Sequence, residues 1–304
     1  MNQHAHLIQA LVQVNTIRSH GQVMSKAHQN ATGQSDDPRE EAVEGGPKTA
    51  EVALEEANSE QLLSEVHILP DLSKAQRQLI QEVIKKNHEA FGLDGRLGNH
   101  PEQIDITLQP NAQPISLPPY SASPANREVI DKQMDSWLQL GVIEPSNSPW
   151  GAPVLIVYRN NKPRMVIDLR CFNSLVVPDE FPLPKQEDIL QALMGAQWLS
   201  SLDALAGFTQ LTMTPTTSEK LMFRTHRGLY QFKRMPFSYW NGPSVFQRVM
   251  QGVLAPFLWI FALVYIDDIV IFSMTFEDHI RHLDQVLQAI AKANITLSPS
   301  KCHF

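Results

Sequence analysis

Apolar residues recur three and four positions apart in three segments of the chain, which is the spacing of one face of an α-helix. The first helical pattern begins from Ser73, and Ser123 and Thr275 stand where the second and third helices would begin and can cap their first turns. Pro124 suits the first turn of the second helix, and Gly141 can end it. The buried faces are predicted to carry Leu79, Ile80, Val83 and Ile84 in the first helix, Val129, Ile130, Met134, Trp137 and Leu138 in the second, and Phe276, Ile280, Leu283, Val286, Leu287 and Ile290 in the third, at 276–294.

Short apolar runs of strand type lie between these helices and are separated by helical or turn-rich stretches. Strands mixed with helices in this way along one chain indicate an α+β domain. The runs occupy residues 154–157, 165–167, 198–202, 263–266 and 269–272.

The start of the chain differs in composition from the rest. Residues 21–64 are polar, acidic and interrupted by Gly and Pro, without sustained periodicity, which is typical of a disordered linker. Residues 31–60 hold nine acids and two bases, a net charge of −7 that equals the charge of the whole 304-residue chain. The remainder therefore lacks the basic surplus of many nucleic-acid-binding proteins. We predict a mostly disordered acidic linker at 1–64, a lead-in with a short helix at 65–122, and the main domain at 123–304.

Cysteine content and hydropathy indicate an intracellular protein. The chain has two cysteines, Cys171 and Cys302, which are too few for a disulfide framework and fit a reducing compartment. Its N-terminus lacks the features of a signal peptide. The longest apolar stretch, 253–266, contains Pro256 and is too short to span a bilayer. We therefore predict no membrane partner.

Two adjacent acids, Asp267 and Asp268, interrupt the apolar run from 263 to 272. A tight turn between two strands would place both carboxylates at its tip, and holding two acids against apolar strands is costly unless a cation neutralises them. Asp203 ends the run 198–202, so Asp203 and Asp267 could share a pair of divalent ions if the two strands are neighbours in one sheet. An Asp-Asp pair after a strand also occurs in solvated turns. The residues by themselves leave a metal site and a solvated turn open.

Seven short motifs follow one another between His100 and the end of the chain. They are Ser-Pro-Trp at 148–150, Arg-Met-Val-Ile-Asp-Leu-Arg at 164–170, Phe-Pro-Leu-Pro at 181–184, Phe-Arg-Thr-His-Arg-Gly-Leu-Tyr at 223–230, Arg-Met-Pro-Phe at 234–237, Tyr-Ile-Asp-Asp at 265–268 and Lys-Cys-His-Phe at 301–304. In order and residue type, this series resembles the reverse transcriptase of gypsy-type long-terminal-repeat retrotransposons, and more distantly the retroviral enzymes.

The resemblance implies an α+β fold of the right-hand polymerase type, with fingers and palm at 123–304 and an antiparallel palm sheet packed on helices. It implies RNA-directed DNA polymerase activity, in which dNTPs are added to a primer 3′ end on an RNA or DNA template. The implied mechanism is two-metal phosphoryl transfer with release of pyrophosphate. Asp203, Asp267 and Asp268 match the first, second and third catalytic, metal-binding aspartates, which would hold two Mg²⁺ ions, with Mn²⁺ as an alternative. The third, Asp268, would contribute less directly.

The resemblance also implies residues that bind the substrates. Arg159 and Arg164 match basic residues of the fingers that grip the incoming triphosphate, although Arg159 precedes a loop one residue shorter than the family's usual form. Phe208 falls where an aromatic side chain packs under the sugar and excludes a 2′-hydroxyl. The remaining matches are Phe237, which flanks the sugar, Tyr265, which lies near the primer terminus, and Lys301, which lies near the nucleotide.

The chain departs from the family pattern in ways that leave an alternative function open. Ser238 stands where the family usually has Gly, and Trp240 adds a large side chain near the nucleotide pocket. The chain also ends at Phe304, before the primer grip and thumb, which indicates a polyprotein fragment found in the cytoplasm, in a virus-like particle or in the nucleus. The alternative is an inactive, truncated remnant that at most binds nucleic acid. Another palm-type nucleotidyltransferase, such as a cyclase, fits the ordered motifs less well.

A zinc site is a further alternative, raised by His279, His282, Cys302 and His303. The helical face at 276–294 explains the first two of these residues without a metal.

Overall fold

A computed structural model of the chain describes residues 58–93, 96–159 and 161–304. The helices are α1 (Asn58–Glu65), α2 (Lys74–Lys86), α3 (Pro124–Gln139), α4 (Arg170–Asn173), α5 (Gln186–Ala192), α6 (Pro215–Lys220), α7 (Gly242–Leu254) and α8 (Phe276–Lys292), with short 3₁₀ turns at His88–Ala90, Gly207–Gln210 and Pro299–Lys301. The strands are β1 (His100–Ile104), β2 (Ile143–Pro145), β3 (Ala152–Arg159), β4 (Lys162–Ile167), β5 (Trp198–Asp203), β6 (Leu211–Met213), β7 (Met222–Thr225), β8 (Gly228–Phe232), β9 (Ala262–Tyr265) and β10 (Asp268–Ser273).

The strands of the described residues form three sheets. A five-stranded sheet has the order β2-β8-β7-β3-β4, and β1 and β6 form a parallel pair. The third sheet has the order β5-β10-β9 and is antiparallel throughout. We call it the aspartate sheet because Asp203 and Asp268 lie in it. The predicted α+β class with an antiparallel palm sheet is confirmed.

Side-chain caps start the three helices that the sequence predicts. The Ser73 side chain accepts a hydrogen bond from the N–H of Gln76, and the side-chain oxygen of Gln76 accepts one from the N–H of Ser73, which completes a capping box. Ser123 caps α3, which has a proline in its first turn, and Thr275 caps α8. These caps pair N–H groups that a helix leaves open in its first turn, so the predicted starts are confirmed.

One continuous apolar core includes residues from Leu62 near the start of the described chain to Phe304 at its end. The segment after α1 joins this core by pairing with the last residues: the N–H of His67 donates to the carbonyl of Cys302, and the N–H of Phe304 donates to the carbonyl of His67. Within the predicted linker, residues 58–64 lie in helix α1, where Leu62 is fully buried. The rest of that prediction, residues 1–57, lies outside the described residues.

Five positions on the predicted apolar faces are less buried than expected, namely Leu79 on α2, Val129, Trp137 and Leu138 on α3, and Ile280 on α8. Leu79 is 43% exposed, while Ile80, Val83 and Ile84 are buried. The face of α2 turned to the core is thus centred on positions i, i+3 and i+4 from Ile80, and Leu79 lies at its edge. On α8, Ile280 is only half-buried, and the polar His279 takes the buried position beside it. In the part of the chain that the structure describes, no helix is both long and apolar enough to cross a membrane.

The contrast within α2 gives a test of the core. We expect Ile84→Ala to lower the free energy of unfolding by about 2–5 kcal/mol, because it leaves a cavity in a packed interior. Leu79→Ala should change that free energy by less than about 0.5 kcal/mol, because the side chain is largely exposed. Urea unfolding of both variants measures the difference. Equal losses would contradict the described orientation of α2.

Candidate active site

The aspartate sheet brings its acidic residues to one end. Asp203, the last residue of β5, pairs with Asp268, the first residue of β10, and Asp268 pairs on its other side with Tyr265 at the end of β9. Asp267 lies between them in the two-residue turn that joins β9 to β10. The N–H of Ala204 donates to the carbonyl of Asp267 over 3.0 Å, which ties this turn to the end of β5. The strand β5 is therefore the direct neighbour of the β9–β10 hairpin, which is the arrangement that the sequence analysis required to bring the acids to one end of a sheet.

A glycine after β5 leaves space for the Asp267 carboxylate. A Cβ atom on Gly207 would lie 2.3 Å from Oδ1 of Asp267, which is closer than real Cβ contacts allow, and 3.0 Å from the ring of Phe246, which is tighter than most of them. Gly207 begins the 3₁₀ turn that also carries Phe208. The sequence analysis missed this requirement, although a glycine four residues after an acidic strand end was a signal for close approach.

A lysine neutralises part of the charge on Asp203. The ammonium group of Lys301 donates to Oδ1 of Asp203 over 3.1 Å, and the N–H of Ser298 donates to the backbone carbonyl of Asp203 over 2.9 Å. The lysine side chain is 63% exposed and the aspartate side chain 21% exposed, so water screens this pair and its effect on stability is small. The structure thus places Lys301, one of the predicted substrate-binding residues, directly at the carboxylates.

The donor set suits a hard divalent cation without forming a closed cage. Among the described residues, no group of three or more His, Cys, Asp or Glu side chains is arranged to hold a metal ion by itself. Mg²⁺ is commonly held by only one or two carboxylates, with waters and substrate phosphates completing its ligands. Asp203 and Asp268, paired across neighbouring strands, provide oxygen donors of that kind.

Phenylalanine side chains form a wall next to the acids. The ring of Phe208 is buried, with its centroid 5.4 Å from that of Phe237 and 5.8 Å from that of Phe246. A Cβ on Gly242 would lie 3.2 Å from Cε2 of Phe208, so the ring is also packed closely against the start of α7. Phe237 is 58% exposed and presents an open aromatic face beside the buried ring. Phe208 and Phe237, which the sequence predicts to flank the sugar, are therefore in contact.

The other predicted binding residues lie at different distances from the sheet end. Tyr265 is half-buried in β9 and pairs with Asp268. Arg164 is exposed on β4, the edge strand of the five-stranded sheet, and is not part of the aspartate sheet. Arg159 ends β3, and its side chain lies outside the described part of the structure.

Asparagine side chains hold the loop in which the chain departs from the family pattern. The side-chain amide of Asn173 donates to the carbonyl of Ser238, and its oxygen accepts the N–H of Trp240. Asn241 donates to the carbonyl of Val177 and accepts the N–H of Asp179. The Trp240 side chain is 50% exposed on this loop. The departures, Ser238 and Trp240, thus lie on an anchored loop, one and three residues after Phe237.

Comparison with known proteins identifies the domain. The family model described as "Reverse transcriptase (RNA-dependent DNA polymerase)" matches residues 156–304. These residues belong to the reverse transcriptase family. The match includes the aspartate sheet, the phenylalanine wall and Lys301, and it confirms the family predicted from the motifs.

The relatives of this reverse transcriptase domain are longer proteins. The Pol polyprotein from transposon opus of Drosophila melanogaster is 36% identical over 208 residues, which are 66% of this chain and 21% of the relative. The Pol polyprotein from transposon gypsy of the same species is 29% identical over 245 residues, 78% of this chain and 23% of the relative. The chain therefore spans about a fifth of the length of these relatives.

Solved structures support the fold. The foamy viral protease-reverse transcriptase in complex with an RNA/DNA hybrid matches with a TM-score of 0.72 at 20% identity, covering 85% of this chain and 34% of that one. At this identity the likeness concerns the fold alone.

The four residues of the zinc alternative are engaged in separate contacts. The ring of His279 is hydrogen-bonded to the hydroxyls of Ser200 and Ser273, and the His282 ring shares the Ser273 hydroxyl and stacks on Phe261. The thiol of Cys302 is buried and donates to the carbonyl of Ser298, while His303 stacks on His67. Within the described ranges these side chains do not form a metal-binding group.

The closeness of Gly207 to Asp267 makes Gly207→Ala informative. We expect this methyl group to displace the Asp267 carboxylate and to weaken divalent-ion binding by about 10-fold or more, the scale of changes around metal ligands. Electron paramagnetic resonance of free Mn²⁺ measures the affinity without requiring polymerase activity.

Gly252→Ala is the matched control, because a Cβ at this position in α7 meets nothing within 4 Å. It should leave Mn²⁺ affinity unchanged and stabilise the helix by up to about 1 kcal/mol. If Gly207→Ala bound Mn²⁺ as tightly as the wild type, Mn²⁺ binding would not depend on the position of the Asp267 carboxylate beside Gly207.

His279 gives the fold a dependence on pH. Burial, together with the nearby His282, lowers the pKa of His279 to about 4. Below the ordinary histidine pKa of about 6.5, the unfolded chain takes up a proton that the folded chain does not. We expect stability to fall between pH 6.5 and pH 4 by about 3 kcal/mol from this residue. Urea unfolding of wild type and His279→Gln across this range measures the effect, and parallel pH profiles would refute it.

Proposed function

We propose that this chain is an RNA-directed DNA polymerase module of a retrotransposon polyprotein. It would add dNTPs to the 3′ end of a primer by phosphoryl transfer. The observation that supports this most directly is the pairing of Asp203 with Asp268 on adjacent strands, with Asp267 in the turn between β9 and β10. Three acids gathered at the end of a largely apolar sheet need cations beside them, which suits the transfer of a phosphoryl group.

Asp203, Asp267 and Asp268 would hold two Mg²⁺ ions, with Mn²⁺ as an alternative. When bound, such ions activate the attacking hydroxyl and stabilise charge on the transferred phosphoryl group and the leaving oxygen. The ammonium group of Lys301 lies beside Asp203, where it would bind a phosphate oxygen of the nucleotide. The exposed position of this lysine leaves its side chain free to move between the two partners.

The phenylalanine wall would select deoxynucleotides. Phe208 is packed against Phe237, Phe246 and Gly242, so its ring cannot easily withdraw from a sugar placed above it. A 2′-hydroxyl on that sugar would collide with the ring, whereas a deoxyribose would fit. The exposed face of Phe237 would flank the same sugar.

The remaining predicted residues would complete the substrate contacts. Arg159 and Arg164 would bind the triphosphate through their guanidinium groups, which suit phosphate recognition. Tyr265, beside Asp268, would lie near the primer terminus.

The partners of the chain would be an RNA or DNA template, a primer and dNTPs. The foamy viral reverse transcriptase that shares the fold is described in complex with an RNA/DNA hybrid, and in a second structure in complex with double-stranded DNA. The structural likeness includes most of this chain, so the same classes of nucleic acid are the natural substrates to test.

A second candidate function is a remnant that binds nucleic acid without extending a primer. Ser238 and the half-exposed Trp240 favour it, because they alter the loop beside Phe237. This candidate predicts metal and nucleic-acid binding without chemistry.

Primer extension on an RNA template with Mg²⁺ and dNTPs tests the proposal. We expect extension by the wild type and a loss of at least about 100-fold in Asp267→Asn, because the amide removes a negative charge from the metal site. Asp188→Asn, an exposed acid on α5, is the control and should extend like the wild type.

Two results would contradict the polymerase proposal. Extension that persists in Asp267→Asn would show that the aspartate sheet is not the active site. A folded wild type that binds an RNA/DNA hybrid but does not extend it would favour the remnant.

A further inference from the structure

We propose that Gln247 is a positioning residue that fixes the turn between β9 and β10 and so directs the Asp267 carboxylate toward the metal site. This inference rests on the proposed function, because it assigns a residue to the support of that same site. Gln247 does not touch the carboxylates and would act through the backbone of the turn.

The side-chain amide of Gln247 forms hydrogen bonds with the backbone on both sides of Tyr265, where β9 ends and the turn begins. Its Nε2 donates to the carbonyl of Val264 over 3.0 Å, and its Oε1 accepts the N–H of Ile266 over 2.6 Å. Gln247 is fully buried on α7. A buried polar side chain has to find partners, and here one amide satisfies two backbone groups that flank Tyr265.

The turn between β9 and β10 needs stabilising contacts from other elements, because the residue type at its first position does not favour the backbone conformation that it adopts. Ile266 has a φ of 56°, in the left-handed region, where a β-branched residue is strongly disfavoured. Two-residue hairpin turns with positive φ at their first position normally have Gly there. Such strain persists only when the surroundings hold it. The hydrogen bond from the Ile266 N–H to Gln247 supplies part of that hold.

The conformation of Ile266 determines the direction of the next residue, Asp267. The carbonyl of Asp267 is held by the N–H of Ala204, and its Oδ1 lies against Gly207 with no room for a methyl group between them. Asp267 is thus fixed by β5 on one side and by the turn on the other. If the turn relaxes to negative φ at Ile266, the carboxylate leaves the space beside Gly207.

Substitutions of Gln247 separate the two hydrogen bonds from simple packing. Gln247→Met keeps the length of the side chain and removes both bonds. Gln247→Glu keeps the acceptor, but its ionised form cannot donate to Val264 and faces that carbonyl with a negative charge. Its protonated form has both a donor and an acceptor and can replace the amide.

The experiment measures Mn²⁺ affinity by electron paramagnetic resonance on the full chain, together with thermal unfolding. We expect Gln247→Met to bind Mn²⁺ about 10- to 100-fold more weakly than the wild type, as for residues that orient metal ligands. Leu254→Ala is the matched control, because it removes a fully buried side chain from the same helix two turns away. It should lower the unfolding temperature and change Mn²⁺ affinity less than about twofold if destabilisation by itself does not move the ligands.

The Gln247→Glu variant gives a signature that a purely structural role would not produce. We expect the ratio of its Mn²⁺ affinity to that of the wild type to rise as the pH is lowered from 8.5 to 6, since burial favours the protonated carboxyl. A ratio that stays flat, or wild-type affinity in Gln247→Met, would overturn the role of Gln247 while leaving the metal site in place. A wild type that binds no Mn²⁺ would instead overturn the proposed metal site, and this inference with it.

Discussion

The antiparallel pairing of β5 with β10 is the constraint on which the site depends. This register sets Asp203 beside Asp268, directly after the buried pair Leu202 and Ile269. Two carboxylates held together at the end of an apolar sheet repel each other and lose hydration, so the arrangement is stable only with positive charge at hand. Lys301 supplies some of that charge in the structure, and the divalent ions that we propose would supply the rest.

The 3₁₀ turn Gly207–Gln210 connects the acidic end to the phenylalanine wall. Its first residue makes room for Asp267, and its second is Phe208. The buried side chain of Gln210 anchors this turn, because it donates to the carbonyls of Leu205 and Thr296 and accepts the N–H of Thr296. Four residues therefore fix the acidic end of the aspartate sheet and the phenylalanine wall relative to each other.

The parts of the fold that sequence reasoning found are those governed by local rules. Helix starts at Ser73, Ser123 and Thr275 depend on a side chain bonding to a backbone group three residues away, which is visible in the sequence. The predicted burial was less accurate at Leu79, which is exposed, and beside Ile280, where His279 is buried instead. The width and direction of a buried helix face depend on the neighbouring elements. His279 is accepted in the core only because Ser200 and Ser273, from two strands of the aspartate sheet, bond to its ring.

The sequence by itself determined three helices and five strands of the fold and the ordered motifs that indicate a reverse transcriptase, since each depends on residue type or short spacing. The domain boundaries and the roles of the site residues, including the three aspartates, Arg159 and Arg164, remain predictions. Only the tertiary structure decided that Gly207 must lack a side chain, that Phe208 contacts Phe237, and that Gln247 holds the turn beside Asp267. The physical reason is that each of these contacts joins elements distant in the chain, and the packing of β5, α7 and the β9–β10 hairpin is what brings them within bonding range.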